Sequence, residues 1–80
     1  MPRNEEPGPT LHNVLVTVEE QAHSKLDDIA GALRRRGLKV VDVLRLGGVI
    51  AGEAKDEDLA RLREVRGVAS IELDQSFTAD

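Results

Sequence analysis

In HNVLVTVEE, from His12 to Glu20, apolar side chains alternate: Val14, Val16 and Val18 point one way, Asn13, Leu15 and Thr17 the other. A period of two is that of a half-buried strand, so a first strand is expected here. The period then changes. In SKLDDIAGALRRRG, from Ser24 to Gly37, Leu26, Ile29, Ala30 and Leu33 recur at helical spacing and make one apolar stripe. Ser24 stands where an N-cap would, with Asp27 three residues on in a loose capping-box position. Gly37 is the expected left-handed stop. LKVVDVLRL is β-rich and predicts a second strand. Gly47-Gly48 reads as a two-residue hairpin turn into a third strand, VIAGEA. Asp56 is placed to cap a second helix, DEDLARLREVRG, whose stripe is Leu59, Leu62 and Val65 and whose end is Gly67. VASIELD predicts a fourth strand.

The order β-α-β-β-α-β is the split-βαβ, or ferredoxin-like, pattern. It implies an α+β domain in which a four-stranded antiparallel sheet carries two helices on one face. Alternation assigns Val14, Val16, Val18, Ile50, Ile71 and Leu73 to the helix side. Leu15, Thr17, Val41, Val43, Val49, Ala51, Ser70 and Glu72 then point outward. Several aliphatic residues grouped on an uncovered sheet read as a docking surface. Asp42 breaks the alternation by falling on the helix side, which points to a bulge or a solvated end in the second strand.

Size and composition narrow the function. A domain of 80 residues buries only about 60% of the surface its unfolded chain exposes, so its core is small. That core is aliphatic, because the chain holds one Phe and no Trp or Tyr. Net charge is -4, which gives no electrostatic attraction to nucleic acid, and no aromatic platform is available on which bases could stack. Without Cys there is no disulfide framework or thiolate metal site. No apolar run approaches the roughly 18 residues of a membrane span. MPRNEEPGPT lacks the apolar stretch of a signal peptide, so a cytoplasmic chain is expected, or a secreted one from which a leader was removed. Residues 1–10 hold all three prolines (Pro2, Pro7, Pro9) and read as a disordered lead-in. The domain is expected to span 11–74, with a separate tail at 75–80.

Catalytic chemistry is poorly supplied. His12 and His23 stand in no metal-ligand spacing and read as exposed turn histidines. No His lies beside a nucleophile and an orienting acid in a local motif. Lys25, Lys39 and Lys55 occupy polar or terminal positions, away from any pocket that would desolvate an amine. Arg34-Arg35-Arg36 lies at a helix C-terminus, and Asp56, Glu57 and Asp58 at a helix start; both complement the helix dipole. An enzyme is therefore not expected.

The stretch from Gly37 to Asp80, above all VRGVASIELD followed by QSFTAD, resembles the propeptides of subtilisin-like serine proteases and the free-standing inhibitors built on that fold. The resemblance covers about residues 12–80. It implies a protease inhibitor that uses no cofactor, is monomeric when free, and is able to assist protease folding. In that family the open sheet face docks on two surface helices of the protease. Acids at the end of the last strand cap those helices, and the carboxyl tail enters the active-site cleft like a substrate. Carried over to this chain, the helix-capping acids are Glu72 and Asp74. The docking face comprises Leu15, Thr17, Val41, Val43, Val49 and Ala51. The tail residues are Phe77, Thr78, Ala79 and Asp80, with Phe77 in the fourth pocket and Asp80 nearest the catalytic serine. Asp80 departs from the large apolar residue that most subtilisins favour there. An ACT-like regulatory module has the same element order; it would bind a small metabolite and use the outer sheet to oligomerise.

Overall fold

The alternating and helical periods both materialise in the computed structural model, which describes residues 11–73. Strand β1 is Leu11–Val18, helix α1 Leu26–Arg35, β2 Lys39–Leu44, β3 Val49–Lys55, α2 Leu59–Arg63 and β4 Val68–Leu73. The four strands form one sheet in the order β2-β3-β1-β4, and every neighbouring pair is antiparallel. The chain is thus α+β with the ferredoxin-like arrangement. Val14, Val16 and Val18 of β1 are buried with Ile50 and Ala54 of β3, against Leu26, Ile29, Ala30 and Leu33 of α1 and Leu59 and Leu62 of α2. Burial of these aliphatic groups is the main force holding the helices to the sheet.

Both helices begin differently from the expectation. A 3-10 turn, Glu20–Lys25, leads into α1, and Ser24 lies inside it; the N-cap is Lys25, with no side-chain capping bond. A second 3-10 turn, Asp56–Asp58, leads into α2, and Asp56 makes no capping bond either. The physical reason is shared. The turn gives the helix's first N–H groups backbone acceptors, as where Leu26 donates to the His23 carbonyl and Leu59 to that of Asp56, so no side-chain acceptor is required. Asp27 instead pairs with Arg45 at 2.9 Å, and Asp56 with His12 at 3.1 Å.

The helix ends follow glycine chemistry. Gly37 has φ 111. Its N–H reaches the Arg34 carbonyl at 3.1 Å while that of Leu38 reaches Leu33 at 3.0 Å, the paired bonds of a Schellman motif. Helix α2 is shorter than the stretch from Asp56 to Gly67 suggested. It stops at Arg63, and turns carry the chain on to Gly67, φ 98. The β2–β3 link is also not a two-residue turn. Leu44 pairs with Val49, leaving Arg45, Leu46, Gly47 and Gly48 as a four-residue loop. A two-residue type I′ turn needs positive φ at both central residues, and only Gly48, φ 66, has it.

Two bulges set which side chains face out. In β2 the register slips between Val40 and Asp42, so Val41 is the extra residue. From there on every side chain changes face. Asp42 therefore lies opposite Ala51, and Val43 opposite the buried Ile50. The assignment of Val43 to the outer face is corrected: it packs against the core. Asp42 explains the bulge locally, since its Oδ1 accepts the Val43 N–H at 2.8 Å. A second slip falls between Thr17 and Val18; Ala69 is the extra residue, and Val68 and Ile71 both pack against the core.

Candidate functional site

The open face of the sheet is built from rows of paired residues. One row crosses all four strands as Asp42, Ala51, Leu15 and Glu72. The next runs Leu44, Val49, Thr17 and Ser70, and on the other side lie Lys39, Glu53 and Asn13. Alternation fixes this membership, because residues flanking the buried Val14, Val16, Ile50 and Ala54 must point away from the helices. Leu15, Thr17, Val49 and Ala51 are each only half-buried, for no described element covers them. Val41, pushed out by the bulge, is 64% exposed. With Leu15, Ala51, Asn13 and Glu53 it lines a shallow depression of about 230 Å³.

Of the site residues expected from the sequence, the structure brings together Leu15, Thr17, Val41, Val49, Ala51 and Glu72. Glu72 is exposed and sits on β4, an edge strand, beside Leu15. Val43 is on the other side. Asp74, Phe77, Thr78, Ala79 and Asp80 lie outside the described residues.

Leu44 was not expected on this surface, and the exposure of Leu46 beside it was not expected either. Leu44 is 45% exposed, and Leu46 at the tip of the β2–β3 loop is fully exposed at 103%. Periodicity could not have found them. The bulge reverses the faces ahead of Leu44, and Leu46 falls in a loop where no period applies.

The histidines serve the fold. His12 Nε2 lies 3.1 Å from Asp56 Oδ1, joining the start of β1 to the approach to α2. His23 is partly buried, not an exposed turn residue. Its Nε2 lies 3.1 Å from the Val18 carbonyl, which places the donated proton on that nitrogen. The ring rests on Gly48 so closely that a Cβ there would overlap it. Asp58, buried at 6% exposure, is bonded to Arg61 and lies against Gly37. Among the described residues no group of three or more His, Cys, Asp or Glu could hold a metal ion. No described helix is long and apolar enough to cross a membrane.

A second concavity, a groove of about 410 Å³, lies between α1 and the α2–β4 connection. Ala22, Ile29, Ala32 and Val65 form its apolar floor, and charges of both signs, among them Lys25, Asp28 and Arg66, stand around it. Comparison with protein-family models, with curated proteins and with solved structures found no match for this chain.

Proposed function

We propose that this chain is a propeptide-like inhibitor of a subtilisin-family serine protease, acting by docking and not by catalysis. The observation that carries the reading is the sheet face that the described residues leave uncovered, where Leu15, Val49 and Ala51 form an apolar centre beside Thr17, with the Glu72 carboxylate at its β4 edge. A flat aliphatic surface suits the sides of two helices on a partner. Helix N-termini carry unpaired N–H groups and partial positive charge, so a carboxylate beside that surface, Glu72 with Asp74 two residues on, is attracted to them. Beyond β4 the sequence runs on as DQSFTAD, long enough to enter a cleft as an extended peptide. Main-chain hydrogen bonds to the cleft and alternate side chains in pockets would hold it there. Phe77 is the apolar anchor of that segment, with Asp80 proposed nearest the catalytic serine. The interaction needs no metal or cofactor, and the same docking would help the protease fold.

The test is direct. The full chain is mixed with a subtilisin-like protease and cleavage of a chromogenic peptide is followed, with the mass of the free chain measured in parallel. Competitive inhibition by a monomer supports the proposal. Absence of inhibition, together with a stable dimer, would refute it in favour of an oligomerising regulatory module.

A further inference from the structure

Charge on the open face is unevenly placed. The four strands set three acids and two lysines there: Asp42 and Lys39 on β2, Glu53 and Lys55 on β3, and Glu72 on β4. Both lysines stand near Glu53. Lys39 lies opposite it in register, and Lys55 is two residues further along β3. Opposite charges so placed offset one another. Asp42 and Glu72 have no such neighbour. Both are exposed, and among the described residues neither stands in an ion pair. They are the two ends of one row, in which Asp42 faces Ala51, Ala51 faces Leu15, and Leu15 faces Glu72. Three strand spacings put these carboxylates about 14 Å apart, one at each edge of the sheet, with apolar side chains between them.

The bulge in β2 is what brings Asp42 to this row. Val41 is the extra residue, and the pairing beyond it turns Asp42 to the open face and Val43 to the core. Within the fold Asp42 makes one local bond, its Oδ1 accepting the Val43 N–H at 2.8 Å. That bond needs an oxygen acceptor but no charge, and an asparagine would supply the oxygen as well. The negative charge is therefore not used by the bond, and it stands in the row where Glu72 is proposed to act.

We infer that Asp42 is a second charged contact of the docking face, meeting a basic side chain that the partner protease presents at the β2 edge. The inference rests on the docking reading above and adds to it the charge that the partner carries opposite the far edge of the sheet. Complementary charge at an interface rim speeds encounter and fixes register more than it adds affinity. One charge fixes a point, whereas two about 14 Å apart fix a line, so the partner is aligned along the row and cannot swing about Glu72. A basic side chain suits this edge because Oδ1 is already held by the Val43 N–H. A cation on a long flexible stem can reach the carboxylate from its other side.

Full-length parent, Asp42→Asn and Asp42→Ala are compared as inhibitors of one subtilisin-like protease at low and high salt, with association rates, thermal midpoints and molecular masses measured alongside. Asp42→Asn keeps the acceptor for the Val43 N–H, so its midpoint is expected to match the parent's. Its inhibition constant should rise about threefold at low salt, as for the loss of an exposed ion pair, mainly through slower association. The difference should shrink at high salt. Asp42→Ala should inhibit no better than Asp42→Asn. If the parent inhibits and Asp42→Asn inhibits equally at low salt, the contact is overturned while the docking reading stands. A lower midpoint for Asp42→Ala alone would then leave Asp42 as nothing more than the acceptor at the bulge. A loss of the same size at both salt concentrations also overturns the contact, since a missing charge would not be its cause. A parent that does not inhibit removes the docking reading and the contact with it. A parent dimer that falls apart in Asp42→Asn would mean that this edge meets a second copy of the chain, which overturns the contact as well.

Discussion

Two glycines show how a single atom decides between packing and strain. Gly52 lies in the middle of β3, facing the helices opposite Val14 and Val40. A Cβ there would stand 2.5 Å from the Lys39 carbonyl oxygen and 2.9 Å from the Leu38 side chain. A backbone oxygen cannot step aside, and Leu38 is itself buried. Gly52→Ala is therefore expected to destabilise the chain by about 1–3 kcal/mol, the usual range for overpacking. Gly31, inside α1, is the contrary case. Its Cβ would meet only an Arg35 guanidinium nitrogen at 3.8 Å, and alanine is the better helix former. Gly31→Ala should stabilise by about 0.5–1 kcal/mol. Urea denaturation of the two variants checks both signs. If Gly52→Ala proved neutral, the close approach of β2 to β3 at this point would be wrong.

Strand β4 is the element whose two faces have separate tasks. Val68 and Ile71 pack on the core, while Ser70 and Glu72 stand on the open face. The extra residue, Ala69, makes this possible, for without it Val68 and Ile71, three apart, could not share a side. Glu72 is exposed and lies outside the buried core of the described residues. Glu72→Ala should change folding stability by less than about 0.5 kcal/mol, as exposed substitutions do. Binding to the protease should weaken by about 0.5–2 kcal/mol, the range for a charge at a helix terminus, with the loss smaller at high salt. Titration of inhibition at two salt concentrations checks this. Undiminished inhibition at low salt would remove the helix-capping role.

At the scale of the whole molecule, the fold and the proposed inhibition draw on different parts of the chain. The buried apolar residues of the described region run from Val14 to Val65, and the sheet closes with β4 at Leu73. A chain ending at Asp74 therefore retains every one of these core contacts. Deleting residues 75–80 is expected to leave the thermal midpoint nearly unchanged and to weaken inhibition at least about tenfold, or 1.4 kcal/mol. The comparison needs only a melting curve and an inhibition constant for each chain. Equal inhibition by the shortened chain would leave the sheet face as the whole interface.

Much of this architecture is legible in the order of side chains alone. The period of two in β1 and the stripe Leu26, Ile29, Ala30 and Leu33 specify a strand and a helix, because only those geometries gather the apolar groups on one side. From them follow the element order and most of the open face, Leu15, Thr17, Val49, Ala51 and Glu72 included. Gly37 likewise announces the end of α1, since its positive φ is a local property of the backbone. What the order of residues could not decide depends on contacts between distant segments. Asp42 signalled an irregularity in β2, but only the pairing with β3 identified Val41 as the extra residue and carried Val43 to the core. Ser24 and Asp56 look like caps because their type favours that place. The chain instead enters each helix through a 3-10 turn, and Asp56 is drawn to His12, 44 residues away. His23 beneath Val18 and against Gly48, and Leu46 raised on the braced hairpin, belong to no period at all. Tertiary structure alone placed them, because the groups that hold them in position come from β1, α1 and the hairpin together.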